Sequence, residues 1–288
     1  MTAFDEWVGR TRSDHDLITP FPISAMTAVM ERGASGPETG HLTAGAPVPP
    51  GWHWLFFKRA AHRADLGEDG HERRGGFLPP LPQPRRMWAG GRLRFGEPLR
   101  LGDTATRRSK ILSVEEKTGR SGALVFVTVE HEVSTVRGVA VLEEQDLVYR
   151  GERDAGSPIP AGPPPPEDGH GIATFQTDPV TLFRFSALTF NGHRIHYDHP
   201  YATGIEGYPG LVVHGPLLAL LLLDAASDRA AAAEQQGAMT NFSYRAVAPV
   251  FCGEEIVLLG KADGEETGLW AATSERGVAM TATAAWGP

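Results

Sequence analysis

The sequence contains a single cysteine, Cys252, among its 288 residues. One cysteine excludes a disulfide within the chain, which is typical of proteins from a reducing compartment. The first ten residues, MTAFDEWVGR, lack the positive start and the apolar run of a secretory signal. We therefore expect a cytoplasmic protein.

Long apolar runs are also scarce. The most apolar stretch, residues 211–223, contains His214 and Gly215. It falls short of the roughly 20 apolar residues that a membrane-spanning helix needs. The sequence therefore predicts a buried helix at this position and no membrane partner.

Positive charge is not in excess, because 27 Lys and Arg face 35 Asp and Glu and give a formal net charge of -8. No concentrated basic stripe offsets this charge, which argues against nucleic acid as a partner. Local arginines must therefore bind any phosphate. Neither a GxxxxGK[ST] loop nor a GxGxxG turn occurs between a strand and a helix, so no nucleotide cofactor is expected.

Proline, in contrast, is concentrated in one segment. Residues 155–171, AGSPIPAGPPPPEDGHG, favour extended polyproline II and cannot join a helix or a central strand. This segment predicts a linker between two domains of similar size, residues 1–154 and residues 172–288.

The two halves resemble each other. RFGEPLRLGD at 94–103 and RAVAPVFCGE at 245–254 share an arginine, a proline four residues later, and then a glycine and an acid. Each motif precedes a β-rich stretch, so its proline and glycine predict a turn between strands. SAMT at 24–27 and SALT at 186–189 give a weaker match.

Helices are predicted at two places in the second half. Asp178 before Pro179 is typical of a helix start, and this helix should cover residues 179–189. A second helix should run from near His214 toward Gln236, buried in its first turns. A similar order of an early helix, a second helix and several antiparallel strands is expected in the first half. A long buried helix wrapped by an antiparallel sheet is the hot dog arrangement, so we predict an α+β protein of two fused hot dog domains.

The densest polar cluster, FRFSALTFNGHRIHYDHPYA at 183–202, resembles the MaoC-like hydratases and dehydratases. In their motif an aspartate is followed five residues later by a histidine, in a loop that ends in Ile-His-x-Asp. Here Asn191 takes the aspartate position, His196 the histidine position and Asp198 the trailing acid. YPGLVVHGPL at 208–217 is similar to the Pro-Gly segment that leads into the buried helix of that family.

The first half resembles the dehydratase domain of type I fatty acid synthases through RRMWAGG at 85–91 and GRSGALVFVTVEHE at 119–132. The fused arrangement is similar to 3-methylfumaryl-CoA (mesaconyl-C4-CoA) hydratases and to the type 2 hydroxyacyl-thioester dehydratases. The resemblance implies hydration of an enoyl-CoA thioester in the second half, with no metal and no cofactor beyond the coenzyme A of the substrate. The first half is expected to be a scaffold.

That chemistry needs one group that activates water and another that stabilises the thioester oxygen. A neutral histidine suits the first task, and we assign it to His196. Asn191 cannot act as a base, but its amide can position water. Whether Asn191 takes part in proton transfer stays open.

Backbone NH groups at a helix start suit the second task, and we expect Gly215 and Gly210 to form the oxyanion hole. Arg245 is a candidate for the coenzyme A phosphates. Arg184 and Arg194 are candidates for a free substrate carboxylate, with internal pairing to Asp178 or Asp198 as the alternative.

Other interpretations remain open. His193, His196 and His199 recur every three residues and offer ligands for a transition metal, but no fixed metal signature accompanies them and no metal is expected. A hot dog thioesterase and a non-catalytic acyl-CoA-binding module are also compatible with the sequence. In every case we expect a homo-oligomer, most simply a dimer. Glu143 and Glu144 are expected on a solvated face.

Overall fold

A computed structural model of the chain describes residues 4–30, 42–119, 122–151, 157–233 and 237–287. Within these ranges the chain forms one antiparallel sheet of ten strands and four α-helices. The strands are β1 (Thr11–Leu17), β2 (Arg85–Phe95), β3 (Thr104–Gly119), β4 (Gly122–Thr135), β5 (Gly138–Arg150), β6 (His170–Gln176), β7 (Ala238–Ala246), β8 (Glu255–Asp263), β9 (Glu266–Thr273) and β10 (Gly277–Gly287). The helices are α1 (Pro20–Val29), α2 (Pro179–Thr189), α3 (His199–Gly204) and α4 (Gly215–Ala232).

The sheet repeats one topology twice. Its strand order is β1-β3-β4-β5-β2-β7-β10-β9-β8-β6, so five strands from each half of the chain lie on either side of the β2–β7 contact. The order β6-β8-β9-β10-β7 in the second half matches β1-β3-β4-β5-β2 in the first. Strand β6 begins at His170, inside the segment assigned to the linker, whose residues 155 and 156 lie outside the described ranges.

Strands β2 and β7 join the halves along a short ladder. Only Gly90 to Arg94 of β2 pair with β7, opposite Arg245 to Asn241. Glycine is required at this seam, since a Cβ on Gly91 would lie 2.8 Å from the backbone oxygen of Glu144 on the neighbouring β5. The first five residues of β2 continue beyond the ladder, so β2 and β7 separate there.

The two helices predicted in the second half are present. Helix α2 begins and ends at the predicted residues, and the Asp178 carboxylate accepts a hydrogen bond from the Thr181 amide at 2.6 Å. Helix α4 begins at Gly215, with His214 as its N-cap, and is described as far as Ala232. Residues 217–226 of α4 are all buried because the helix packs across strands β7 to β10. Residues 234–236 lie outside the described ranges.

The first half departs from the expected order. Helix α1 is the only α-helix described in residues 4–30 and 42–151, and residues 52–55 form a 3-10 turn. Six prolines from position 47 to position 82, among them Pro49 and Pro50, cannot continue a helix. In place of a second helix, residues 52–55 pack against α1 and α2, and Gly51 just before them contacts α4. Gly51, with φ of 81°, makes this contact possible, since a Cβ there would lie 2.4 Å from Leu223 Cδ1.

The related motifs at 94–103 and 245–254 form turns between strands, as predicted. The first connects β2 to β3 and the second connects β7 to β8. Gly102 and Gly253 both have a positive φ, 94° and 97°, which explains the shared glycine. No helix in the described part of the chain is both long and apolar enough to cross a membrane.

Candidate active site

A cavity of about 1280 Å³ lies where β2 separates from β7. Its wall includes residues 85–88 of β2 on one side and, on the other, residues 246–250, which begin at the last residue of β7. Loops from both halves complete the wall, residues 69–74 from the first and residues 189–193 from the second. The predicted residues Asn191, His196 and Gly215 all line this cavity.

The loop that carries Asn191 and His196 is shaped by its own backbone. Helix α2 ends at Thr189, and Phe190 takes a left-handed conformation with φ of 51° that reverses the chain. The Asn191 amide then donates to the Ser186 carbonyl at 2.8 Å. A 3-10 turn, Arg194–His196, follows and brings His196 back under the end of α2.

His196 is buried, with 7% of its surface exposed. Its Nδ1 lies 2.7 Å from the Val212 carbonyl oxygen. A carbonyl only accepts hydrogen bonds, so Nδ1 carries the proton and Nε2 keeps its lone pair. Burial lowers the pKa of His196 to about 4, which leaves the ring neutral near pH 7. The side chain is therefore in the state that a general base requires.

His214 supports this ring from behind. The two imidazoles stack with centroids 3.7 Å apart and an interplanar angle of 18°. His214 is fully buried, and its Nε2 lies 2.8 Å from the Ser186 hydroxyl. Burial holds the pKa of His214 well below its ordinary value, so it adds no charge next to His196. Its contacts are those of a residue that holds His196 in place.

The side-chain oxygen of Asn191 forms a hydrogen bond within its own loop. Its Oδ1 accepts a hydrogen bond from the His193 backbone amide at 3.0 Å, which stabilises the turn. This leaves the Nδ2 hydrogens available on the cavity wall. The arrangement supports positioning of a bound group and gives no means of taking a proton.

A carboxylate reaches the same site from the first half of the chain. Asp69 Oδ2 lies 3.0 Å from His71 Nδ1, and Asp69 Oδ1 accepts from the His71 backbone amide at 3.0 Å. The His71 ring lies 4.3 Å from the His193 ring, and the His193 ring lies 5.5 Å from that of His196. Sequence reasoning missed Asp69 and His71, because they precede the motif by more than 100 residues. The Asp-Gly-His order at 69–71 was the only local signal.

Asp69 and His71 differ in charge near pH 7. Burial raises the pKa of Asp69, but the hydrogen bonds and charge of His71 outweigh it and hold that pKa well below its usual range. Burial and the nearby Arg86 charge lower the pKa of His71 to about 4. Near pH 7 the pair is therefore a carboxylate and a neutral imidazole whose Nε2 has a lone pair.

Two glycines hold the loop of Asp69 against the loop of His196. A Cβ on Gly70 would lie 2.0 Å from the Gly192 carbonyl oxygen, and one on Gly192 would lie 2.6 Å from the Gly70 carbonyl oxygen. The Arg194 amide also donates to the Asp69 carbonyl at 2.9 Å. The two halves of the chain thus meet backbone to backbone at the site.

Among the residues that the structure describes, Asp69, His71 and His193 also form a group that could hold a metal ion. Each offers one ligand atom, and these atoms lie within 4.8 Å of one another. Two imidazoles and a carboxylate are ligands that zinc accepts, at about 2.0 to 2.2 Å from the metal. Both carboxylate oxygens of Asp69 already accept hydrogen bonds from His71. His199, the third histidine of the sequence pattern, is exposed at the start of α3 and is not part of this group.

The two glycines predicted for the oxyanion hole differ in position. Gly215 is the first residue of α4 and lines the cavity, where its backbone packs against the Trp88 ring. Its NH group belongs to the first turn of the helix and has no partner within the helix. Gly210 is not among the cavity-lining residues. The geometry therefore favours Gly215.

The three arginines predicted to bind substrate lie outside the cavity wall. Arg184 is exposed on α2, and Arg245 is exposed on β7, on the face opposite to the buried Tyr244 and Phe242. Arg194 forms an ion pair with Asp198, with Nη2 and Oδ2 2.7 Å apart, which is the internal pairing that the sequence left open. Their roles in binding stay predictions.

Eight other arginines line the cavity: Arg12, Arg59, Arg73, Arg74, Arg85, Arg86, Arg107 and Arg150.

The chain is similar to known proteins over most of its length. Residues 51–252 match the model of a family described as hydroxyacyl-thioester dehydratase type 2. A protein named mesaconyl-C(4)-CoA hydratase, from Chloroflexus aurantiacus, is 44% identical over 280 residues, which are 96% of this chain and 95% of that protein. A mitochondrial hydroxyacyl-thioester dehydratase type 2 from Schizosaccharomyces pombe is 28% identical over 272 residues, 84% of this chain and 87% of that protein.

Solved structures share the fold. HtdX of Mycobacterium tuberculosis superposes with a TM-score of 0.66 at 20% identity and covers 96% of this chain and 99% of its own. A MaoC-like dehydratase from Phytophthora capsici gives a TM-score of 0.68 at 16% identity, with 99% of both chains covered. Another Mycobacterium tuberculosis protein, described as having a double hotdog fold, gives 0.57 at 14% identity and covers 96% of both chains.

These structures confirm two fused hot dog domains as the fold of this chain. The family model covers residues 51–252, and the 44% identical relative matches almost the whole length. The chain belongs to the hydroxyacyl-thioester dehydratase type 2 family.

Proposed function

We propose that this protein catalyses the reversible hydration of a 2-enoyl-CoA thioester to a 3-hydroxyacyl-CoA thioester, without a resident metal or other cofactor. The names of its relatives, a hydratase and a dehydratase, support this reaction class. The observation that supports the proposal most directly is the protonation state of His196. It is a neutral imidazole with Nδ1 held by Val212, and it lines a cavity that Gly215 also lines.

The proposed reaction moves one proton. His196 takes a proton from water at Nε2 while the water oxygen bonds to the β-carbon of the enoyl group. The π electrons of the double bond move toward the thioester oxygen, where the Gly215 NH at the start of α4 stabilises the negative charge. The imidazolium of His196 then returns the proton to the α-carbon. Dehydration is the reverse of these steps.

Asn191 assists in this scheme without ionising. Its Nδ2 hydrogens donate to the attacking water and orient its oxygen, since Oδ1 is already engaged with the His193 amide. His214 and Ser186 keep the plane of the His196 ring fixed from behind. Positioning of this kind contributes to the rate because the reacting atoms are held close together.

The leading candidate for the substrate is 3-methylfumaryl-CoA (mesaconyl-C4-CoA), which the 44% identical relative is named for. A broader range of 3-hydroxyacyl thioesters is the alternative, supported by the family to which the chain belongs. We also include in the proposal a cytoplasmic location, supported by the single cysteine, and a homodimer, which light scattering would test.

A panel of enoyl-CoA and 3-hydroxyacyl-CoA thioesters, followed by mass spectrometry, tests the proposal. We expect the gain or loss of one water and no free coenzyme A. His196→Ala should lower turnover by about 10² or more while the circular dichroism spectrum is unchanged, because that is the usual contribution of a general base. Release of free coenzyme A would instead indicate a thioesterase. Turnover of the variant within tenfold of the wild type would exclude His196 as the base.

A further inference from the structure

Asp69, His71 and His193 lie together in the cavity wall, where the two halves of the chain meet. All three line the cavity, and the ligand atoms that they offer lie within 4.8 Å of one another. Asp69 and His71 come from the first half and His193 from the second. The hydration steps proposed above use none of these side chains, which leaves their grouping in the wall without a role.

The spacing of Asp69 and His71 suits two neighbouring ligands of a zinc ion. Zinc binds imidazole nitrogen and carboxylate oxygen at about 2.0 to 2.2 Å, so adjacent ligands of a tetrahedral ion lie about 3.3 to 3.6 Å apart. Asp69 Oδ2 and His71 Nδ1 are 3.0 Å apart. A zinc ion can therefore take the place of the proton that they share, while the His71 ring keeps one proton on Nε2.

The loops that carry these ligands stay packed when an ion binds in this way. Asp69 Oδ1 still accepts a hydrogen bond from the His71 backbone amide at 3.0 Å. Gly70 and Gly192 bring the loop of Asp69 into backbone contact with the loop of His193. Ligands on segments that support each other are already near the positions that a metal needs.

His193 supplies the third ligand after a small movement of its side chain. The centroids of the His193 and His71 rings are 4.3 Å apart. In the described part of the chain, the hydrogen bonds of His193 involve its backbone, at 3.0 Å to Asn191 Oδ1 and 3.2 Å to the His196 amide. The ring can therefore turn by the roughly 1 to 1.5 Å that reduces a separation of 4.8 Å to a tetrahedral spacing.

The ligand set indicates which metals bind and how firmly. Two imidazoles and one carboxylate suit zinc and related transition metals, whereas Mg²⁺ prefers oxygen ligands. Structural zinc sites are closed by four protein ligands. Three protein ligands leave the fourth position of a tetrahedral ion open to water from the cavity. We therefore expect an ion that enters and leaves through the cavity.

An ion at this position opposes the proposed hydration. The ring of His193 lies 5.5 Å from the ring of His196, measured between centroids. His196 becomes positively charged when it takes a proton from water, and a nearby divalent cation disfavours that charge. The ion and its bound water also occupy part of the cavity in which the substrate has to bind.

We propose that Asp69, His71 and His193 form a zinc-binding site and that zinc bound there reversibly inhibits the enzyme. The hydration itself needs no metal, so the ion is an inhibitor and not a cofactor. The inhibition rests on the proposed function, whereas the binding of zinc does not.

Calorimetry with zinc chloride tests the site without catalysis, on full-length protein that carries no histidine tag and has been treated with EDTA and desalted. We expect one zinc ion per chain. His193→Gln and Asp69→Asn should each weaken its binding by at least about tenfold, since even the partners of metal ligands contribute that much. His199→Gln changes the exposed histidine of the same sequence pattern and is the matched control, which should bind zinc like the wild type.

Thermal unfolding provides a second measurement on the same proteins. Zinc should raise the melting temperature of the wild type and of His199→Gln, because a ligand that binds the folded state stabilises it. It should not raise that of His193→Gln. Absence of zinc binding by the wild type, or equal zinc binding by His193→Gln and the wild type, would overturn the inference.

Activity assays test the inhibition. Saturating zinc should lower kcat/KM for the enoyl-CoA substrate by at least about tenfold, because it opposes the work of the general base. EDTA should restore the activity, Mg²⁺ should have no effect, and His193→Gln should need at least about tenfold more zinc for the same loss. Zinc that binds without lowering kcat/KM would overturn the inhibitory role. A wild type that hydrates no enoyl-CoA would instead refute the proposed function, and calorimetry would still decide whether the zinc site exists.

Discussion

His196 is neutral in the folded protein because burial lowers its pKa to about 4 from an ordinary value of 6.5. A base works in its unprotonated form, so activity should be lost only as pH falls through the lowered pKa. We predict that kcat/KM stays level from pH 7 downward and declines near about 4. An acid limb near 6.5 would show that His196 is not the base.

Acid unfolding must be separated from this effect. The unfolded chain binds a proton at His196 below about 6.5 and the folded chain only below about 4, so stability decreases between these values as the pH falls. Circular dichroism over the same pH range therefore provides the control, and only rates measured on folded protein count.

Asp69 fixes the tautomer of His71 and would stabilise a positive charge on that ring. Asp69→Asn keeps the size of the side chain and removes its charge. We predict that it lowers kcat by about tenfold or more and changes KM less, because the pair lies beside His193 and His196. Steady-state kinetics measures this, and an unchanged kcat would show that the pair only supports the loop.

Asp69, His71 and His193 also have the donor atoms of a metal site. Chelation distinguishes a role in binding a required metal from a role in proton transfer. We predict that EDTA leaves activity unchanged, since the proposed reaction uses protein groups alone. Activity that is lost with EDTA and restored by zinc would establish Asp69, His71 and His193 as a metal site.

The residues that the sequence identified, Asn191 and His196, lie within one short motif. Asp69, His71, Arg85 and Arg86 reach the site only through the packing of two distant segments, which no local pattern reveals.

Glu143 was expected in solvent but is 2% exposed, and its Oε2 lies 3.0 Å from both His53 Nε2 and Trp54 Nε1. Adjacent residues of a strand point to opposite faces, so Glu143 and Glu144 cannot share a solvated face.

At the scale of elements, the contact between the loops of Gly70 and Gly192 is the feature that assembles the site. Gly70→Ala would place a Cβ 2.0 Å from the Gly192 carbonyl oxygen. We predict that this variant loses at least about tenfold in kcat/KM, since small displacements of catalytic groups have large effects on rate.

Gly75→Ala is the matched control for this prediction. Gly75 also has a positive φ, 95° against 89° for Gly70, but a Cβ there would meet only Pro80 Cβ at 3.7 Å. Both variants place an alanine at a similar positive φ, so a difference in kcat/KM between them reports the loop contact. Equal losses would show that strain alone is responsible.

Helices α2 and α4 were predictable because capping residues, proline at the first turn and a long Leu and Ala run all indicate helix. Residues 42–84 were not, because they have neither helical nor strand periodicity and their conformation depends on contacts with α4 and β5. The turns of the repeated motifs were predictable from glycine and proline alone.

At the scale of the molecule, the cavity needs both halves. The second half supplies His196 and Gly215, and the first supplies Trp88, Asp69 and the arginines. We predict that residues 171–288 expressed alone are inactive as a monomer, because the cavity wall is incomplete and the β7 edge has lost its partner β2. Light scattering together with an activity assay tests this, and full activity of a monomer would make the first half dispensable.

The double fold was predictable from the paired motifs, since two similar turns 151 residues apart imply two similar units. How the units join was not predictable. The ladder of five residue pairs and the cavity beside it both exist because β2 continues beyond its pairing with β7. Sequence patterns place strand ends only approximately, so they do not predict where this pairing stops.

The position of Trp88 also allows ligand binding at the site to be followed by tryptophan fluorescence. Its ring stacks on Tyr244 at 4.4 Å and meets Trp54 edge to face at 5.4 Å, and Trp54 and Trp88 are the tryptophans that line the cavity. A thioester seated at Gly215 would displace solvent from the indole of Trp88 and alter its emission. Intrinsic fluorescence should therefore report occupancy directly, so that affinities of unreactive thioesters can be obtained by titration without a label.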